Sequence, residues 1–120
     1  MDQVAALLIL ALLLGTSARP AGAHAFLDHA DPRVGSTVAA SPPALTLVFT
    51  EPIEPAFSRV TLTGPGGRPV PAGPPARPAP ATIAVALPAL GPGTYTVAWS
   101  VVSIDTHATE GHFVFTVRGP

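Results

Sequence analysis

The sequence predicts an all-β domain, a two-sheet β-sandwich or barrel, from three observations. Sixteen prolines and eleven glycines among 120 residues argue against long helices and for short strands joined by many turns. Several runs of five to eight residues alternate apolar and polar side chains, the two-residue period of a half-buried strand. Clusters of Pro, Gly and Ser bound those runs on both sides. The apolar content of 48% is too high for intrinsic disorder.

The N-terminus stands apart from this pattern. Val4 to Leu14 is an unbroken run of eleven apolar residues. It falls well short of the roughly 20 residues that span a bilayer as a helix. Gly15, Thr16 and Ser17 follow, then Ala21-Gly22-Ala23, whose small residues at the first and third positions suit signal peptidase. Residues 1–23 are therefore read as a secretory signal cut between Ala23 and His24, although Met1-Asp2-Gln3 lacks the usual basic residue. The product, residues 24–120, is expected as one β-domain outside the cytoplasm, with no membrane span.

The strand candidates follow in order. A short first strand is expected near Ala25–Leu27, with Asp28 to Pro32 as a turn. Leu45 to Phe49 is β-branched and aromatic-rich, between Ser41-Pro42-Pro43 and Pro52. Arg59 to Thr63 alternates strictly and stops at Gly64-Pro65-Gly66-Gly67. Residues 64–80 hold seven prolines and four glycines in seventeen positions, and are expected as an irregular connection. Thr82 to Leu87 is a further strand, and Gly91-Pro92-Gly93 a turn. From Thr94 to Val101, one face carries Tyr95, Val97, Trp99 and Val101, which assigns Tyr95 and Trp99 to the core. Phe113 to Val117 closes the domain. Strand order is not fixed by pattern alone.

Composition removes several functions. With no cysteine there is no disulfide, zinc finger, iron–sulfur cluster or thiol catalysis. Six arginines, no lysine and a net charge of −1 offer no footprint for nucleic acid. No phosphate-cradling glycine loop or nucleophile elbow is present.

The remaining chemistry sits at the two ends of the expected product. Cleavage after Ala23 leaves His24 with a free α-amine beside its imidazole, and the two can chelate one ion. Both groups deprotonate near neutrality. Ser103-Ile104-Asp105-Thr106-His107 places a carboxylate and an imidazole two residues apart, on one side of an extended segment. His24, Asp105 and His107 together offer three nitrogens and one oxygen, a set that suits Cu(II). His29 is expected as an exposed surface residue, His112 as a strand-entry residue and fallback ligand, and Glu54 as solvent-facing.

Four segments bring a family resemblance. They are His24-Ala25-Phe26-Leu27, then Asp31-Pro32 with Gly35-Ser36, then Leu47 to Glu54, and last Gly93 to Ser103 running into Asp105-Thr106-His107, Gly111 and Phe113 to Val117. In these the chain resembles the CopC family of periplasmic copper-binding proteins. The resemblance implies a Greek-key β-barrel or sandwich of cupredoxin-like or immunoglobulin-like kind. It implies Cu(II) ligation by His24, Asp105 and His107, with Glu51 behind them orienting a ligand or a water. It further implies a monomeric copper carrier or buffer, with a membrane copper importer as a partner. One departure stands out. The copper-resistance members carry a Met-rich Cu(I) loop, whereas Met1 is the single methionine here, so a Cu(II)-only member is expected. Two other classes compete with this non-enzymatic reading. A copper monooxygenase braced by an N-terminal His would need an open site and a substrate surface richer than one Trp and one Tyr. A metal-free interaction sandwich would fold and bind without regard to copper.

Overall fold

The computed structural model describes residues 24–119. They form nine strands in two sheets: β1 Leu27–Asp31, β2 Thr37–Val38, β3 Ala44–Phe49, β4 Arg59–Thr63, β5 Pro69–Val70, β6 Ala76–Ala79, β7 Thr82–Ala86, β8 Gly93–Val102 and β9 Ala108–Val117. One sheet has the order β1-β3-β7-β6 and the other β2-β9-β8-β4-β5. Strands from both halves of the chain are needed in each sheet, so neither could form alone. The architecture is a β-sandwich, as the alternation requires. The proposed signal, residues 1–23, lies outside the described residues.

The core is the sum of the inward-facing positions. Leu45, Leu47 and Phe49 of β3 and Ile83 and Val85 of β7 face Leu62, Tyr95, Val97, Trp99, Val101, Phe113, Phe115 and Val117 of the other sheet. The residues between them on each strand stay at the surface, the pattern of a sheet with one face packed. Phe49 meets Trp99 edge to face at 5.2 Å, and Tyr95 stacks on Phe115 at 5.6 Å. Tyr95 keeps its hydroxyl satisfied by donating to the Gly91 carbonyl at 2.7 Å.

Four local expectations change. The first strand is longer and later than Ala25–Leu27. It runs through His29 to Asp31, because a bulge between Leu27 and His29 keeps Ala30 facing the core. The 64–80 connection contains β5 and β6. Both are edge strands, where a proline's missing N–H costs no ladder bond. β2 is a two-residue strand parallel to β9, too short to leave a sequence signal.

The last change matters for the site. β9 starts at Ala108, not Phe113, and pairs with β8 without a break from Val102↔Ala108 to Gly93↔Val117. The alternation is hidden at Gly111 because Trp99 fills the space its side chain would take. A Cβ there would lie 2.5 Å from the indole. Gly111→Ala is therefore expected to destabilise the domain by about 1–3 kcal/mol. Urea unfolding should show a lower midpoint with an unchanged slope.

Candidate metal centre

The long β8–β9 hairpin ends in the loop Ser103–His107, and the chain enters β1 beside it. This end of the sandwich gathers the candidate ligands. The loop is a tight turn, not the extended segment that the two-residue spacing suggested. Thr106 N–H donates to the Ser103 carbonyl at 2.8 Å, and Ser103 N–H donates to the His107 carbonyl at 2.9 Å. Thr106 closes the turn with φ at 73°, in the left-handed region that a β-branched residue rarely adopts. Such a residue costs on the order of 1–3 kcal/mol and persists only where its surroundings impose it.

Ser103 is what imposes it. Its side chain is buried, and its backbone bridges to Ile53. Its hydroxyl donates to the Asp105 carboxylate and also contacts the His107 backbone, with the His107 N–H at 3.3 Å. Asp105 Oδ2 lies 3.1 Å from His107 Nδ1. The Ser103 hydroxyl holds the Asp105 carboxyl below its ordinary pKa against the opposing effect of burial, and His107 adds to the lowering. A depressed carboxyl pKa stabilises the fold above the ordinary carboxylate range, and that contribution is lost as pH falls through the folded value. Ser103→Ala should cost about 1–3 kcal/mol, because it strips a partner from several polar groups at once. It should also weaken metal binding by about tenfold, read in a metal titration.

His24 reaches the same place from the other end of the sequence. Its ring centroid lies 4.5 Å from that of His107, with the planes tilted by 31°. Two threonines fix the arm that carries it. Thr50, just beyond β3, accepts from Phe26 N–H at 3.0 Å and donates to the His24 carbonyl at 3.4 Å. Thr109, in β9, donates to the Ala25 carbonyl at 2.5 Å, while Ala25 itself is buried. Neither threonine was singled out from the sequence. Their contacts span 24 to 84 residues, and nothing local announces them.

The three predicted ligands are thus neighbours. Among the described residues no three such side chains are closed into a ready-made metal cage. Asp105 is engaged by Ser103 and His107, and in the uncut chain His24 carries a peptide nitrogen instead of an amine. His107 and Asp105 are both open to solvent, with side chains 54% and 37% exposed, so an ion can reach them. Glu51 lies across a cleft of about 240 Å³ from Asp105, together with Pro52, Ser103 and Ile104.

The other histidines are elsewhere. His29 lies on β1 with its Nδ1 2.6 Å from Asp28 Oδ2, both exposed. His112 sits on the outer face of its sheet opposite Ala98. Five strand positions separate it from His107, roughly 16 Å. That distance removes it as a fallback ligand.

Comparison with known proteins gives consistent results. A CopC domain model matches residues 27–118. Protein YobA of Escherichia coli K12 is 41% identical over 99 residues, covering 80% of each chain. Copper resistance protein C of Escherichia coli is 36% identical over 107 residues, covering 80% of this chain and 82% of its own. The crystal structure of CopC from Methylosinus trichosporium OB3b superposes with a TM-score of 0.74 at 34% identity, over 80% of this chain and 95% of that one. PcoC, a methionine-rich copper resistance protein from Escherichia coli, also gives 0.74, at 36% identity, over 80% of this chain and all of that one.

Proposed function

The chain belongs to the CopC family, and from that footing we propose that it binds Cu(II) outside the cytoplasm as a carrier or buffer of copper, not as an enzyme. The observation that carries this reading is the meeting of His24 and His107, 4.5 Å apart, with Asp105 beside them. Each residue alone is an ordinary surface side chain. Their convergence from positions 24 and 107 needs the whole sandwich and two threonine tethers.

In this reading, cleavage after Ala23 frees the His24 amine, and the amine, both imidazoles and the Asp105 carboxylate hold the ion. Residues 1–23 are the export signal, residues 24–120 the functional domain, and the mature protein is a monomer. Nitrogen and carboxylate donors favour Cu(II), and the carboxylate's charge opposes reduction to Cu(I). PcoC is described as methionine-rich, whereas this chain has one methionine, at position 1. A soft thioether site therefore has no residues from which to form after processing. Glu51, across the cleft from Asp105, is suited to orient a ligand or a water. No helix among the described residues is long and apolar enough to cross a membrane, and a membrane copper importer is the partner to which such a carrier would deliver.

Calorimetric titration of Cu(II) into the chain processed to His24 tests the reading. One saturable equivalent, competed by a strong chelator, is expected. Several weak, non-stoichiometric equivalents would overturn it.

A further inference from the structure

Three large apolar side chains stand in water at the end of the sandwich that carries the candidate ligands, and Val34 and Val114 do so in the opposite half. Phe26 is 54% exposed, Ile104 56% and Phe57 70%. Phe26 packs its ring 6.1 Å from that of His24. Ile104 is the residue before Asp105, and its backbone N–H is tied to the Pro52 carbonyl at 3.2 Å. Phe57 N–H donates to the Glu54 carbonyl at 3.2 Å, and Glu54 N–H donates to the Val102 carbonyl at the end of β8. These side chains are held outward by hydrogen-bonded backbone. Burying them would release apolar surface that the monomer leaves unpaired.

Charge is divided along the same axis. The register of β1, β3, β8 and β9 places Asp28, Glu51, Glu54, Asp105 and Glu110 in the half nearer the ligands. Arg59 and Arg77 share that half, the latter donating to the Ile53 carbonyl at 2.9 Å. Arg33, Arg68 and Arg118 lie in the opposite half, with Asp31 as the carboxylate there. Among the described residues the ligand end is thus net acidic and the far end net basic.

We propose that the ligand end is a docking face for a protein partner that presents a basic, apolar surface. Exposed Phe26, Ile104 and Phe57 at an end of net negative charge, with Arg59 and Arg77 among its five carboxylates, match the mixed apolar and charged make-up of a small, transient protein interface. The net negative charge steers a basic partner and repels an acidic one. It equally repels the same end of a second copy, and an anionic lipid surface. The purpose assigned to the face rests on the copper reading: a partner seated here meets the ligands themselves, where metal can pass between two proteins without entering bulk water.

The test keeps the two claims apart by using metal-free protein. The chain processed to His24, which holds both sheets and the entire described core, is labelled with nitrogen-15. It is titrated with a short amphipathic Leu/Lys peptide, and separately with the Leu/Glu peptide of the same pattern. The Lys peptide should shift the amides of Phe26, Glu54 and Ile104 and spare those near Arg68 and Arg118. Its affinity should fall about tenfold between low and physiological salt. Asp28→Lys with Glu54→Lys should weaken it at least about fivefold, and Phe26→Ser with Ile104→Ser should do likewise with the far-end amides unmoved. Equal binding of the Glu peptide, or shifts spread over both ends, would overturn the proposal. So would concentration-dependent self-association through this face that the Lys peptide cannot compete. Peptide docking without stoichiometric Cu(II) binding would sink the copper function and leave the face standing, and the reverse result would sink the face alone.

Discussion

Retaining Ala23 ahead of His24 is expected to lower Cu(II) affinity by at least about 100-fold relative to the chain that starts at His24. Even the loss of a group that merely supports a ligand costs about 10–100-fold in metal affinity. The extra residue does more, since it converts a basic amine donor into an amide whose proton the metal must displace, and it opens the ring closed by the amine and imidazole of one residue. The fold should not notice, because both sheets and the described core lie from Ala25 onward. Competition titrations against a chelator of known affinity would read the change, with urea midpoints as the control. Equal affinities would remove His24 as a chelating terminus.

His107→Ala is the second large effect, again at least about 100-fold. It deletes an imidazole that stands 4.5 Å from its partner ring, and also the group that flanks Asp105. Asp105→Ala should weaken binding by about tenfold and raise the reduction potential of bound copper, because a negative charge that favours Cu(II) is gone. His29→Ala and His112→Ala should leave the titration within error. His29 is spent on Asp28 at the outer surface, and His112 lies far along β9 on the outer face. Calorimetry on the four variants under one buffer would rank them. Damage from His112→Ala equal to that from His107→Ala would show that the wrong histidine had been chosen.

The sandwich was legible because its two central strands obey simple alternation. Tyr95, Val97, Trp99 and Val101 point inward in the sequence pattern and are buried in the structure. The edges were not legible. β5 and β6 lie in a proline-rich stretch, and prolines are tolerated there only because those strands sit at the margin, a fact of topology that local sequence does not carry. The candidate ligands were picked out from their chemistry and from a family likeness. The reason for their meeting was partly misread: Asp105 and His107 converge through a turn closed at Thr106, not through an extended strand. Thr50 and Thr109 were invisible for a different reason. Thr50 follows the strand that the sequence pattern marks and Thr109 precedes the last one, and only the three-dimensional return of residues 24–26 gives them partners.

The central claim is that one copper ion joins the two ends of the domain through nitrogen. Electron–nuclear resonance of the Cu(II)-loaded processed chain tests it most directly, with histidine side chains labelled by nitrogen-15. The account predicts couplings from two labelled imidazoles and one unlabelled amine, with the amine coupling and one imidazole coupling lost when Ala23 is retained. A single imidazole in the processed chain, or a spectrum indifferent to Ala23, would contradict it.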